Sequence, residues 1–152
     1  MAATEGSGAL EALPREECLR LLATQQVGRL GVVVRNYPLI FPVNFGLDRG
    51  VVVVRTRRGA LLSSADHANV AFEVDELDVV HRTGWSVLVR GLAEDVSDLE
   101  RDEVLQRSEA SAPEPWVPGE HDRLVRIIPH DVSGRRIHAG QQTWAFEPAG
   151  YL

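Results

Sequence analysis

The chain carries a single cysteine, Cys18, among its 152 residues, so no intramolecular disulfide can form. With no companion thiol at metal-ligand spacing, Cys18 reads as a helix-packing side chain. Long apolar runs are also missing: stretches such as Gly31–Val34 and Val51–Val54 fall far short of the ~20 residues that cross a bilayer, which argues against a membrane role. The opening "MAATEGSGALEALPREE" has no basic segment followed by an apolar core, so residues 1–9 read as a flexible lead rather than a secretory signal, and a cytoplasmic location is expected. Positive charge is in deficit, with 22 acidic against 16 basic residues and a net charge of −6. That balance argues against a protein whose main task is to coat nucleic acid, which needs broad phosphate neutralisation. His67, His81, His121, His130 and His138 form no pair at helical spacing and no HExxH, so no metal site is expected. Without a GxSxG elbow or a GxGxxG turn, neither a serine hydrolase nor a classical dinucleotide fold is supported.

What is present is the texture of one mainly β domain spanning 1–152, with 44% hydrophobic and 25% charged residues. Leu10, Leu13, Cys18, Leu21 and Leu22 share a helical face, with Pro14 in the first turn and Glu16 and Glu17 near the positive end of the dipole. From Val27 the pattern turns β-branched. Breaks at Asn36-Tyr37 and Asp48-Arg49-Gly50 divide it into three strands of a meander. Gly59–Asp66 suits a brief helix, "NVAFEVD" a fourth strand with Val70, Phe72 and Val74 on one face, and "GWSVLVRGLAEDV" a fifth with a bulge at Gly91. Ser97 or Asp98 is expected to cap a helix bearing Leu99, Val104 and Leu105 and ending near Glu109. Residues 110–122 read as a proline-rich surface loop, and "RLVRIIPHDV" as a sixth strand with Leu124, Arg126 and Ile128 on one face and Val125 and Ile127 on the other. The tail from Gly134, and 138–152 above all, is expected to be only partly ordered. Six closely spaced strands and few helices favour an antiparallel sheet curled into a barrel.

In an acidic chain, Arg55, Arg57 and Arg58 gather at one turn. Guanidinium forks, the Thr56 hydroxyl and the backbone of a glycine turn at Gly59 can converge on one phosphate. On residue type alone the same arginines also read as a solvated hairpin end, and Trp85 as core or interface packing. The "EVDELD" run alternates as the wet face of a strand does, so it is read as solvated rather than cation-binding.

The run from "ECLRLLATQQVGRLGVV" through "YPLIFPVNFGLDRGVVVVRTRRG" and "AFEVDELD" to "RTGWSVLVRG", with "VRIIPHDVSGRRI" as a closing strand, resembles the pyridoxamine 5'-phosphate oxidase-related family of flavin-binding proteins in its actinobacterial form. The resemblance implies a six-stranded antiparallel split β-barrel of the FMN-binding type with short flanking helices, forming a homodimer that holds FMN between protomers. Carried over by position, Pro42, Val43 and Asn44 lie along the isoalloxazine ring, and Arg55 and Thr56, with Arg58 and Gly59 at the turn, take the phosphate. Trp85 and Ser86 lie near the groove and the dimer interface. One departure stands out: where members with a firm FMN site read glycine, any residue, lysine, this chain reads Gly59, Ala60, Leu61.

The resemblance implies a flavin-dependent oxidoreductase acting on a small-molecule redox substrate. The flavin would carry the chemistry, and no catalytic residue is assigned to the chain. A deazaflavin coenzyme in place of FMN remains open. So do a non-catalytic cofactor-binding module and a cofactor-free dimeric barrel, the last because of Leu61.

Overall fold

The computed structural model describes residues 10–100, 102–120 and 122–139. The expected flexible lead, 1–9, and the tail beyond residue 139 lie outside the described residues. Among those described are seven strands, β1 (Leu10–Leu13), β2 (Val27–Val34), β3 (Tyr37–Asp48), β4 (Val51–Thr56), β5 (Asn69–Asp78), β6 (Thr83–Asp95) and β7 (Arg123–Ile137). Three helices accompany them: α1 (Arg15–Leu22), α2 (Ala60–Ala65) and α3 (Glu103–Ser111). Every strand pairing is antiparallel, in the order β1-β7-β4-β3-β2-β5-β6, and β6 pairs back onto β7. The six strands β2 to β7 therefore close on themselves as the expected barrel, and β1 is an added strand outside the ring.

Two-residue turns set the register of the first two hairpins. Arg35-Asn36 and Arg49-Gly50 all have positive φ, as the turns that match strand twist require. The pairs Val34↔Tyr37 and Asp48↔Val51 close directly on them. The first turn thus sits one residue earlier than Asn36-Tyr37, and Tyr37 opens β3. The irregularity expected at Gly91 is present: between Arg90 and Gly91 the partner on β7 jumps from Asp131 to Pro129, leaving His130 as the extra residue. A side chain at Gly91 would meet the Ile128 carbonyl oxygen at 2.1 Å, so the bend depends on glycine.

The barrel is filled by the inward set of each alternating strand, including Leu30, Val32, Phe45, Val52, Val54, Phe72, Val87, Val89, Val125 and Ile127. Phe45 and Phe72 meet edge to face with ring centres 4.9 Å apart. Gly28 leaves room for the Phe72 ring, which an added Cβ would meet at 2.3 Å. On the opposite face of β7, Leu124 joins Val53 and Val96 beneath Val104 and Leu105 of α3. The face assignment read from the sequence therefore holds for Leu124 against Val125 and Ile127.

Three local expectations are corrected. Leu10 and Leu13 are not helical: Leu10–Leu13 pairs with Gly134–Ile137, and Pro14, extended at ψ 156°, separates this strand from α1. The same pairing makes Gly134–Ile137 regular strand rather than the start of a loose tail. The third helix is capped by Asp102, whose carboxylate accepts from the Val104 amide at 2.7 Å, and not by Ser97 or Asp98. Those two are engaged elsewhere. The Ser97 hydroxyl donates to Asp95 and accepts from the Leu124 amide, while the Asp98 carboxylate receives both ends of the buried Arg123 guanidinium.

Candidate functional site

The ladder between β3 and β4 runs only from Asp48↔Val51 to Phe45↔Val54. Beyond it the strands part. Asn44, Val43 and Pro42 stay with Val27, Gly28 and Arg29 of β2, whereas Arg55 and Thr56 stay with Leu124 and Arg123 of β7. The hairpin unzips between Asn44 and Arg55, and a cavity of about 430 Å³ opens there.

Its walls come from five segments. β3 contributes Phe41, Pro42, Val43 and Asn44; the end of β4 contributes Arg55 and Thr56; the turn contributes Arg57, Arg58 and Gly59. Ala60 and Leu61 of α2 and Val117 of the loop after α3 complete it. Seven of the nine residues expected from the sequence are thus brought together. Trp85 and Ser86 are not with them. Trp85 is buried in the barrel core and borders a separate cavity of about 370 Å³ between the β5–β6 tip and the end of β7. Ser86 sits in the same ladder, opposite Asp75 and Arg135.

The cavity has two chemical ends. Pro42, Val43, Leu61 and Val117 offer apolar surface, and Leu61 also packs on the barrel core. Arg55, Arg57, Arg58 and the Thr56 hydroxyl make the other end cationic and hydrogen-bonding. Every one of the 16 basic residues in the chain is arginine, so the missing lysine at position 61 has no lysine elsewhere to replace it. Arg57 and Arg58 are exposed, Arg55 is half-buried and Thr56 is buried. Thr56 Oγ1 lies 3.5 Å from the Arg57 carbonyl, the long limit of a hydrogen bond. Arg58 also adds to the field that, after the direct hydrogen bond from Arg123, holds the Asp98 carboxyl below its ordinary pKa. Gly59 carries φ +154°, a conformation that costs other residues strain, and keeps the turn open beside the arginines.

Sequence reasoning missed the loop after α3 as part of the site. Arg55 Nε donates to the Pro113 carbonyl at 2.8 Å, and the Trp116 amide donates to Asn44 Oδ1 at 3.1 Å. The loop thereby spans the gap left where the β3–β4 ladder stops. The local sequence could offer only its prolines and Trp116 as hints, because the partners lie 58 and 72 positions away. No cluster of histidine, cysteine and carboxylates able to hold a metal ion occurs among the described residues, and no described helix is long and apolar enough to cross a membrane.

A family model described as pyridoxamine 5'-phosphate oxidase matches residues 14–136. An uncharacterized protein of Mycobacterium tuberculosis is 42% identical over 137 residues, covering 86% of this chain and 88% of its own. Among solved structures, an FAD binding protein from Mycobacterium smegmatis superposes with a TM-score of 0.64 at 34% identity, covering 86% of this chain and 100% of its own. A Corynebacterium glutamicum protein assigned to the same oxidase type superposes with a TM-score of 0.71 at 30% identity, covering 90% and 99%.

Proposed function

The chain belongs to the pyridoxamine 5'-phosphate oxidase family, and from that membership we propose that the cavity at the β3–β4 split binds a flavin mononucleotide moiety, with the protein acting as a flavin-dependent oxidoreductase. The observation that carries this reading is the convergence on one cavity of an apolar wall and a three-arginine corner. A flavin has that same polarity, with a flat ring at one end and a phosphate at the other. The volume lies within the range of small-molecule sites. Pro42 and Val43 would lie along the ring, Asn44 would hydrogen-bond its polar edge, and Arg55, Thr56 and Arg58 would hold the phosphate. Bound there, the flavin would supply the redox chemistry. The chain's own work is to orient it, neutralise its phosphate and limit water.

The similar protein that binds FAD supports a flavin in general, and FMN is the form proposed for this cavity because its one phosphate matches the single arginine corner. Titrating the protein with FMN and following flavin fluorescence tests the reading directly. Arg55→Ala should weaken binding by about 1.5–3 kcal/mol, roughly ten- to a hundredfold, because a charge-assisted hydrogen bond is lost. Affinity unchanged by that substitution removes Arg55 from the site.

We further propose that two copies of the chain associate through the face beside this cavity. Val33, Tyr37 and Ile40 are 60%, 71% and 73% exposed, and Val33, Leu39 and Ile40 line a mainly apolar groove of about 680 Å³. Phe41 and Pro42, the next residues of β3 after Ile40, line the proposed flavin cavity, so a second protomer seated on the groove would come close to it. Leu61 favours a second reading, a dimeric barrel that takes up little or no flavin, and the same titration distinguishes the two.

A further inference from the structure

The segment Pro113–Val117 is fastened to both lips of the split, by its Pro113 carbonyl to Arg55 and by its Trp116 amide to Asn44. Its root is equally fixed. β3 approaches so closely that a Cβ on Gly46 would meet the Ser111 carbonyl oxygen at 1.9 Å. Pro113, Pro115 and Pro118 then restrict the backbone of their own positions and of the residues before them, and Ala112 is extended at φ −69° and ψ 138°. The result is a short stiff wall with little conformational entropy left to lose on binding.

Two side chains of this wall face the site from either side of Asn44. Val117 lines the flavin cavity, and Trp116 lines an adjoining hollow of about 420 Å³ with Gln26, Asn44 and Phe45. Trp116 is 67% exposed, so its ring is not spent on packing the barrel. A rigidly held, uncovered indole beside a cavity is a surface for a flat aromatic partner. The geometry points to Pro113–Val117 as the wall that selects the ring of the bound molecule, with Val117 against the flavin ring and Trp116 offering that same ring a stacking face from the adjoining hollow. This rests on the flavin reading above.

The test uses the full chain and FMN as the probe, with wild type, Trp116→Phe and the double variant W116A/V117A titrated at low and at high salt. If the wall selects the ring, the double variant binds FMN about tenfold more weakly by the same factor at both salt concentrations, since an apolar and stacking contact is not screened. Trp116→Phe keeps most of the affinity, and the thermal midpoint stays put because both side chains are exposed. A loss that changes with salt instead places the wall's effect on the phosphate corner through Arg55 and overturns ring selection. An unchanged affinity, with wild type still binding FMN, overturns the wall alone. Wild type that binds no FMN overturns the flavin reading and the wall together.

Discussion

Position 61 decides how strongly the proposed site holds a phosphate. Leu61 is half-buried, lines the cavity and rests on the barrel core, in the place where the resemblance leads one to expect an ammonium. Leu61→Lys would add a cation to a corner that already holds Arg55, Arg57 and Arg58. The lysine stem can still cover the apolar surface that leucine covers. FMN affinity should rise about tenfold, the value of one charge-assisted hydrogen bond of roughly 1.5 kcal/mol, and flavin fluorescence titration reads it. No gain would mean that the corner does not face the phosphate. At this scale the sequence is informative where site residues are neighbours in the chain, since Pro42–Asn44 and Arg55–Gly59 each travel as a block on a strand or its turn. It is silent on Val117 and the Pro113 carbonyl. One is an ordinary residue in a loop, the other a backbone atom, and neither leaves a trace in residue type.

Among the elements, α1 is tied down by one carboxylate. Glu17 receives Arg20 from its own helix at 2.6 Å and Arg136 from β7 at 2.8 Å. Hydrogen bonds from Arg20 and then Arg136 pull its pKa from an ordinary 4.5 to about 2. Because the folded value is the lower one, the ionised pair stabilises the fold fully above about pH 4.5, and that contribution is lost as pH falls toward 2. Glu17→Gln should therefore lower the urea midpoint at neutral pH and flatten its decline across that acid window. A variant whose midpoint falls with acid as steeply as wild type would assign the acid sensitivity to other carboxylates. Helix α1 itself is legible from Cys18, Leu21 and Leu22, all buried, and the six barrel strands from alternation. Strand β1 is not. Its pairing partner, β7, lies far along the chain, so Leu10 and Leu13 fit a helical face equally well until β7 is in place. The start of α3 was hidden for a similar reason: Arg123 and Leu124, distant in sequence, claim the two residues that look most like its cap.

For the molecule as a whole, the question is what covers the end of the β2–β3 hairpin. Residues 32–34 of β2 extend past the last pair with β5 at Gly31↔Ala71, and residues 37–40 of β3 lie beyond the point where β4 leaves. What remains is a two-stranded ribbon bearing Val33, Tyr37, Leu39 and Ile40 toward solvent. An isolated ribbon is marginal in water, and an apolar one is a site of association. The ribbon itself offers little charge to oppose contact, since Arg35 is the only charged residue from 32 to 41, and Arg90 and Asp131 in the groove beside it pair with each other. A second copy laid across this ribbon would bury it and bring its own surface up to Phe41 and Pro42, which line the proposed flavin cavity. Light scattering should then give twice the mass of the 16.8 kDa chain, and Ile40→Glu, which sets a carboxylate into the apolar contact, should return the single-chain mass. The same variant should lose flavin affinity although residue 40 lies outside the cavity's lining, and its unfolding midpoint should no longer rise with protein concentration, as the midpoint of a dimer does. Wild type found at the mass of one chain would leave the ribbon uncovered and would confine the flavin site to residues of a single protomer.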